Sequence, residues 1–379
     1  MNNLDQLVRT LRQAATELGF SQFGITPAVS MLGYPDLIAW IDAGYAGEMN
    51  YFANRQKAYE HPDGVLDGAK SMIALAYPYD AASAQALAAG EGRIAKYIWS
   101  GLDYHDIIHP KLKYLCKILT EHSPESLARG VVDTAPLMER EIAQQAGLGW
   151  PGKNTLLLNK YQGSYFFLAC VLTNIELPYD ESHDTQHCGN CRACLDACPT
   201  DAFPAPGVLD ATRCISYLTI EHRNAIPVAL REGIGNWLFG CDVCQEVCPW
   251  NRKPTRQATQ TQTDGKSTNF DHLDLRTLFE IGEEEFRLRF RKTPLWRARR
   301  RGILRNAAIV LGNQKHEANV PALKLGLRDT EPLVRGASAW ALGRVGGQIA
   351  GSELESCLIS ESDPDVLGEI NLALSTIQR

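Results

Sequence analysis

The stretch CGNCRACLDACP (residues 188–199) holds four cysteines in twelve positions, spaced by two, two and three residues and followed directly by proline. A shorter run, CDVCQEVCP (241–249), comes later, and Cys214 stands alone between the two runs. In two-cluster ferredoxins, three close cysteines of such a run bind one four-iron cluster, and the fourth binds the other. The spacing therefore predicts two [4Fe-4S] clusters with crossed ligands. The first set is Cys188, Cys191, Cys194 and Cys248, and the second is Cys198, Cys214, Cys241 and Cys244.

Zinc is the alternative occupant of such cysteines, because it also binds closely paired thiolates. Zinc sites rarely use this spacing followed by proline, and they rarely exchange ligands between two runs. The sequence therefore favours iron–sulfur clusters. The other three cysteines, Cys116, Cys170 and Cys357, lie in apolar surroundings and are predicted to be buried packing residues.

The composition is that of an ordinary globular protein of two or three domains. The chain has 379 residues, of which 45% are hydrophobic and 22% charged, and its formal net charge is -6. This charge gives no global attraction to nucleic acid or to membranes, so such affinity needs a local patch. The first 20 residues predict an amphipathic helix without an apolar signal core, and no later stretch reaches the ~20 apolar residues of a membrane span. We expect a cytoplasmic protein that does not bind membranes.

Three segments differ in their patterns. Residues 1–180 combine helical periodicity with two buried strands, at 71–79 and 165–175, and with a helix at 136–146, which predicts an α+β or α/β domain with a mixed sheet. Residues 181–255 form the cysteine-rich domain. Residues 256–379 are predicted to be helical, after a polar linker at 251–269.

The helical segment contains an internal repeat. LRNAAIVLGN (304–313) aligns with RGASAWALGR (335–344), so that the two Leu-Gly pairs stand 31 residues apart. Paired helices with a period near thirty are typical of a HEAT-like solenoid. Two such units are marginal alone, so we expect them to pack on the preceding domain.

Asp133 is the main candidate for acid chemistry in the first segment. It follows two valines at a predicted strand end and precedes the predicted helix, so it is suited to cap that helix. A carboxyl at the rim of an apolar pocket instead acquires a raised pKa and serves as a general acid. The residues alone leave both roles open. Likewise, a histidine such as His105 is usually a hydrogen-bonded core or surface residue. Lys153 and Asn154 would normally be turn residues.

Several motifs in the same order resemble the epoxyqueuosine reductases, cobalamin-dependent iron–sulfur enzymes of queuosine biosynthesis. The motifs are DYH (103–105), VVDTAPLMER (131–140), GWPGKN (149–154), CISYLTIEHR (214–223) and GCDVCQEVCPWN (240–251). The resemblance implies a cobalamin-binding domain of the nitroreductase-related, cobalamin-processing α/β sandwich type. A two-cluster ferredoxin-like domain and a C-terminal HEAT-like repeat would follow. The implied reaction reduces epoxyqueuosine to queuosine at the wobble position of tRNA, removing the epoxide oxygen as water.

The resemblance also assigns roles to individual residues. Asp133 would be the proton donor and would contact the cofactor, and Tyr104 and His105 would line the substrate face of the corrin. Residues at the edge or tail of cobalamin would be Lys153, Asn154, Ser216 and Tyr217. The two electrons would come from an external low-potential donor through the clusters, and nothing in the sequence requires more than a monomer.

A basic stretch supports the nucleic-acid partner independently. Between Arg287 and Arg305 there are nine lysines or arginines and no acidic residue. A solvated helix face would normally carry acids as well, so this pattern favours contact with the tRNA backbone. The predicted contacts are Arg297, Arg299, Arg300, Arg301 and Arg305.

Two other functions remain open at this stage. A cobalamin-dependent reductive dehalogenase shares the cofactor set, although it has no need of a basic stretch and a helical repeat. A non-catalytic electron-transfer subunit would use the clusters alone and would bind its partner through the repeat.

Overall fold

The computed structural model describes residues 3–79, 82, 85–252 and 270–378. The predicted linker falls outside these residues, apart from its first two positions. The strands are β1 (Gln22–Pro27), β2 (Ser71–Pro78), β3 (Glu91–Ile94), β4 (Ala128–Val131), β5 (Trp150–Pro151), β6 (Leu157–Leu158), β7 (Phe166–Thr173), β8 (Trp237–Phe239) and β9 (His272–Asp274).

Helices cover more of the described chain than strands. The α-helices are α1 (Asn3–Glu17), α2 (Tyr34–Asp42), α3 (Tyr51–Asn54), α4 (Tyr104–His122), α5 (Glu139–Gln145), α6 (Ala193–Asp196), α7 (Ile215–Ile220), α8 (Val228–Arg231), α9 (Val243–Glu246), α10 (Glu283–Phe290), α11 (Arg299–Gln314), α12 (Val320–Gly326), α13 (Pro332–Val345), α14 (Gly347–Ser360) and α15 (Pro364–Ile377). Short 3-10 helices lie at Gln56–Tyr59, Pro62–Gly64, Lys96–Ile98, Ala211–Arg213, Pro249–Asn251, Arg276–Glu280, Pro294–Ala298 and Glu317–Asn319. No helix among the described residues is both long enough and apolar enough to cross a bilayer.

The first segment is built on a four-stranded antiparallel sheet in the order β1-β2-β7-β4. Its two central strands are the apolar runs that the sequence predicted as buried strands. Because side chains alternate across a strand, Ile73 and Leu75 face the core beneath α1 and α4, whereas Met72 and Ala74 face the core that contains α5. The sheet is therefore covered on both faces. The expected mixed pairing is absent from it and occurs in a smaller sheet.

That smaller sheet joins the three predicted domains. β3 comes from the first segment, pairs in parallel with β8 of the cysteine-rich segment, and pairs antiparallel with β9 of the helical segment. Beneath it, Ile94 and Phe239 belong to the same hydrophobic core as the repeat helices. The predicted boundaries at 180 and 255 thus divide chain segments that share one sheet and one core.

The repeat helices pack through the glycines that revealed the repeat. A side chain at Gly312 would meet the Cα of Ala341 at 2.8 Å, and one at Gly343 would meet the Cα of Ala373 at 2.7 Å. Each glycine therefore allows its helix to approach the next equivalent helix closely, which explains the spacing of 31 residues. As expected, the repeat is not isolated, because α11 packs on β8 and α7.

Two of the predicted tRNA contacts are wrong. Arg305 is only 1% exposed and donates to the carbonyl oxygens of Leu218, His222 and Asn224. Arg300 forms an ion pair with Asp329 (2.6 Å), and its side chain is 11% exposed. Arg305 faces inward because α11 packs on the cysteine-rich segment, whereas Arg300 turns toward Ile281 and Asp329 of the helical segment itself. Only part of the basic stretch is therefore a surface.

Replacing Arg305 tests its structural role. Arg305→Met removes the donors from three buried carbonyl groups and should lower the free energy of unfolding by ~2–4 kcal/mol. Arg291→Met, at an exposed position of the same basic stretch, should change it by less than ~0.5 kcal/mol. Unfolding of anaerobically purified proteins in denaturant would measure both. Equal midpoints for the two variants would contradict the structural role.

Candidate active site

The first predicted cluster set is brought together at the start of the cysteine-rich segment. Burial raises the pKa of Cys194, and the neighbouring thiols of Cys248 and Cys188 raise it further. Burial also raises the pKa of Cys248, with contributions from Cys188 and Cys191. Thiols affect one another in this way only when they lie within a few ångströms. The distant Cys248 therefore joins the three close cysteines, as the crossed arrangement requires.

The second set gathers in the same manner. Burial raises the pKa of Cys214, which lies near Cys198. Burial likewise raises the pKa of Cys241 and of Cys244, and both of these thiols lie near Cys214. Cys244 also lies near Cys194 of the first set, so the two groups are adjacent.

This donor set fits two four-iron clusters, each of which takes four cysteine thiolates. All eight cysteines are free thiols. Among the described residues, no group of three or more Cys, His, Asp or Glu side chains is arranged to hold a single metal ion. Of the cysteines predicted to be packing residues, Cys170 is buried, whereas Cys116 and Cys357 are half-buried.

Asp133 lies directly after β4 and Val132, exposed and with a left-handed backbone (φ 52°). The Tyr104 hydroxyl donates a hydrogen bond to Asp133 Oδ2 at 2.7 Å. The backbone N–H of Asp133 donates to Glu139 Oε1 at 3.2 Å. The predicted capping role is wrong, because α5 begins only at Glu139 and receives no side-chain cap. The predicted helix start at residue 136 is three residues too early, because the loop that presents Asp133 extends to Met138.

Tyr104 and His105 lie near Asp133. They form the first turn of α4, where Tyr104 stacks on Phe167 (ring centroids 4.3 Å apart) and on His105 (4.2 Å). Burial raises the pKa of Tyr104, as does the charge of Asp133, so its hydroxyl keeps its proton and remains a donor. A hydrogen bond with Asp103 raises the pKa of His105.

Glu139 is the site residue that sequence reasoning missed. Burial raises its pKa to about 8, and the nearby Asp133 contributes. The motif VVDTAPLMER contains this glutamate. Its pattern does not indicate that the Glu139 carboxyl, six residues after Asp133, turns back to the Asp133 backbone.

The residues predicted at the cobalamin edge divide into two groups. Asn154 is 3% exposed, and its Nδ2 has no hydrogen-bond partner among the described residues, so it can serve a bound group. Ser216 is half-buried. In contrast, Lys153 donates to the carbonyl oxygens of Gly189 and Cys191, which makes it a support of the first cluster loop.

Tyr217 has a packing role in the structure. It is 6% exposed, and its hydroxyl accepts a hydrogen bond from the Glu48 N–H at 2.7 Å. Its ring lies so close to Gly47 that a side chain there would meet the Tyr217 oxygen at 2.3 Å. Tyr217 therefore packs the first segment against the cysteine-rich segment, and its contact with cobalamin stays a prediction.

The other three predicted tRNA contacts lie at the surface, and one of them, Arg297, lies near Asp133. Arg297 is exposed and pairs with Glu221 (2.9 Å), Arg299 stacks over Trp296 (4.1 Å), and Arg301 donates to the Arg223 carbonyl oxygen. The bond to Glu221 raises the pKa of Arg297, and the charge of Asp133 adds to this effect. The exposed end of the basic stretch thus lies within electrostatic reach of Asp133.

Comparisons with known proteins agree with these features. Residues 60–134 match the family model "Epoxyqueuosine reductase QueG, DUF1730", residues 187–251 match a 4Fe-4S double cluster binding domain, and residues 297–375 match HEAT repeats. An epoxyqueuosine reductase of Pseudomonas aeruginosa is 43% identical over 90% of this chain and 95% of its own length. The chain belongs to the epoxyqueuosine reductase family. The enzyme of Escherichia coli is 37% identical over 90% of both chains.

Solved epoxyqueuosine reductases share the whole architecture. One, bound to a tRNA-Tyr stem loop modified with epoxyqueuosine, has a TM-score of 0.90 and 31% identity, covering 99% of this chain and 100% of that one. The Bacillus subtilis enzyme, solved with its catalytic aspartate loop swung out of the active site, has a TM-score of 0.89 and 30% identity over the same shares. The family identifies the chain as an oxidoreductase, which decides against a non-catalytic electron-transfer subunit. Membership among the epoxyqueuosine reductases decides against a dehalogenase. Family membership and the double-cluster match support both iron–sulfur clusters and cobalamin as cofactors.

Paired cysteine substitutions test the crossed ligands. Cys198→Ser and Cys241→Ser should each abolish one cluster, and the double variant should lose no more than either single variant, about four of eight iron atoms. Cys194→Ser combined with Cys198→Ser should abolish both clusters, although the two residues are close in sequence. Cys357→Ser, outside both groups, is the control. Iron analysis and electron paramagnetic resonance of reduced protein give the readout; if the 194/198 pair lost only one cluster, the ligands would not be crossed.

Proposed function

We propose that this enzyme reduces epoxyqueuosine to queuosine at the wobble position of tRNA. The observation that carries the proposal is the setting of Asp133, an exposed carboxyl held by Tyr104, within electrostatic reach of the exposed arginine Arg297. A relative with the same fold was solved with an epoxyqueuosine-modified stem loop, which supports this substrate class.

The reaction balances with two electrons and two protons for each epoxide. Both carbon–oxygen bonds of the epoxide break, an alkene forms between its carbons, and the oxygen leaves as water. We assign to Asp133 the delivery of a proton to the departing oxygen, since general acid catalysis requires a positioned donor. The Tyr104 hydroxyl donates to one oxygen of Asp133 and therefore orients the other oxygen toward the substrate.

The cofactors would supply the electrons, and residues of the chain would hold the cofactors in place. When bound, the clusters and cobalamin deliver the two electrons that open the epoxide, and an external low-potential donor must replenish them. The two groups of four thiols would hold the clusters, and the unpaired Asn154 amide and Ser216 of the cysteine-rich segment would contact cobalamin. The four-stranded sheet with its helices would be the cobalamin-processing type of sandwich. The enzyme would act as a cytoplasmic monomer.

The tRNA would lie along the exposed part of the basic stretch. Arg297, Arg299 and Arg301 would contact phosphates, which position the RNA without reading its sequence. The wobble base must then be turned out of the anticodon loop to reach Asp133, as single-stranded bases commonly are in protein complexes.

Replacing the proposed acid separates chemistry from binding. Asp133→Asn keeps the size of the side chain and an acceptor for Tyr104 but cannot donate a carboxyl proton. Single-turnover reduction, read by mass spectrometry of the tRNA nucleosides, should slow by ~10²–10⁴-fold, with the Kd for tRNA unchanged. Asp106→Asn, an exposed carboxyl on α4, is the control and should behave as wild type. Full single-turnover activity of Asp133→Asn would refute the assignment.

Neutralising the exposed arginines tests the RNA surface. The triple variant of Arg297, Arg299 and Arg301 to glutamine should bind tRNA more weakly and reduce the slope of log K against log salt by ~2–3. A triple variant of Lys113, Lys117 and Lys160, which are exposed lysines outside the basic stretch, should retain the wild-type slope. Binding measured over a range of salt concentrations gives both values, and equal slopes for the two variants would rule out this surface.

A further inference from the structure

The loop that carries Asp133 is held in a conformation that its sequence does not favour. We define the acid loop as residues 132–138, between β4 and α5. Asp133 has φ 52°, a left-handed backbone that a residue other than glycine rarely adopts without outside support. Among the described residues, two side-chain hydrogen bonds reach the loop backbone: Glu139 Oε1 accepts from the Asp133 N–H at 3.2 Å, and Arg55 donates to the Thr134 oxygen at 3.5 Å.

Glu139 is suited to hold this loop because its own position is rigid. It is the first residue of α5, and the next turn of that helix buries Ile142 and Ala143 in the core beneath β2 and β7. The adjacent Arg140 donates to the Thr155 oxygen in the loop that contains Asn154. The beginning of α5 is therefore tied both to the sheet and to the proposed cofactor loop.

We propose that Glu139 is a positioning residue that latches the acid loop, so that the Asp133 carboxyl stays next to Tyr104 and the substrate. This inference rests on the proposed function of Asp133 as proton donor. Glu139 touches only the backbone of Asp133 and acts through it. Without this acceptor, the Asp133 N–H has no other hydrogen-bond partner among the described residues. The left-handed backbone conformation of Asp133 then loses its support.

The electrostatic setting of Glu139 makes the latch sensitive to pH. The groups that face its carboxyl are Asp133 on the acid loop, Arg140 on α5, Tyr59 on a neighbouring 3-10 helix and Cys170 on β7. Burial, followed by the charge of Asp133, raises the pKa of Glu139 to about 8. A carboxyl with a raised pKa in the folded state contributes stability below its unfolded pKa, and that stability is lost as pH rises through the folded value. This contribution to stability is therefore lost as pH rises from about 4.5 to about 8, and the hydrogen bond from the Asp133 N–H opposes the loss because it favours the ionised carboxylate.

Two substitutions at position 139 distinguish the acceptor from the charge. Glu139→Ala removes the acceptor, so amide exchange at Asp133 should become several-fold faster, and kcat should fall by up to about 10²-fold while the KM for tRNA is unchanged. Glu139→Gln keeps an acceptor but cannot ionise, so it should retain slow exchange and most of kcat. It should also remove the pH dependence that the ionisation of Glu139 is expected to give the wild type. Glu141→Ala is the matched control, because Glu141 lies on the same helix and accepts instead from Leu32 and Gly33.

Hydrogen exchange on the holoenzyme, followed by mass spectrometry of peptides covering 131–140, measures the latch without an activity assay. Unchanged exchange in Glu139→Ala, or equal effects of Glu139→Ala and Glu141→Ala on the acid loop, would overturn the inference. These outcomes leave the acid assignment of Asp133 intact. Conversely, a fully active Asp133→Asn enzyme would refute the proposed function of Asp133. The exchange result for Glu139→Ala would still show whether Glu139 holds the acid loop.

Discussion

Cysteine thiols from three separate parts of the chain are gathered into two adjacent groups, and much of the surrounding structure follows from this convergence. Cys248 must return to the loop of Cys188, and Cys198 must reach Cys214 and Cys241. Burial raises the pKa of the Cys214, Cys241 and Cys248 thiols, whereas iron–sulfur binding requires thiolates, so cluster binding and folding are energetically coupled. Lys153 supports the first loop, and Arg305 joins the segment after Cys214 to the repeat helices.

A packed series of aromatic rings connects the thiol groups with the acid. Tyr165 lies near Cys244 and Cys248, and its ring meets Tyr79 at 5.9 Å. Tyr79 meets Phe167 at 4.9 Å, which stacks on Tyr104 at 4.3 Å. These ring contacts form a continuous layer of low polarity from the cysteine groups to Tyr104, which binds Asp133. Electrostatic interactions are stronger beside such a layer than in water, which increases the effect of each charge near the acid.

The basic stretch illustrates how one sequence pattern serves two purposes. All its cations look equivalent in the sequence, yet Arg305 is buried where α11 packs against the cysteine-rich segment, and Arg300 is paired with Asp329 inside the helical segment. A buried guanidinium must be matched by acceptors, and carbonyl oxygens at the end of α7 supply them for Arg305. Arg297, Arg299 and Arg301 lie at the turn into the same helix and remain at the surface.

The sequence by itself determined the features that depend on short-range patterns. Ligand spacing identified both sets of cysteines, continuous apolar runs identified β2 and β7, and the Leu-Gly period identified the repeat. Only the tertiary structure decided which neighbours distant residues meet. Glu139 turns back to Asp133 because the acid loop closes on the start of α5, and Tyr217 is covered by a loop that lies some 170 residues earlier in the chain. Such contacts are set by the packing of whole elements, which no local spacing of residues encodes.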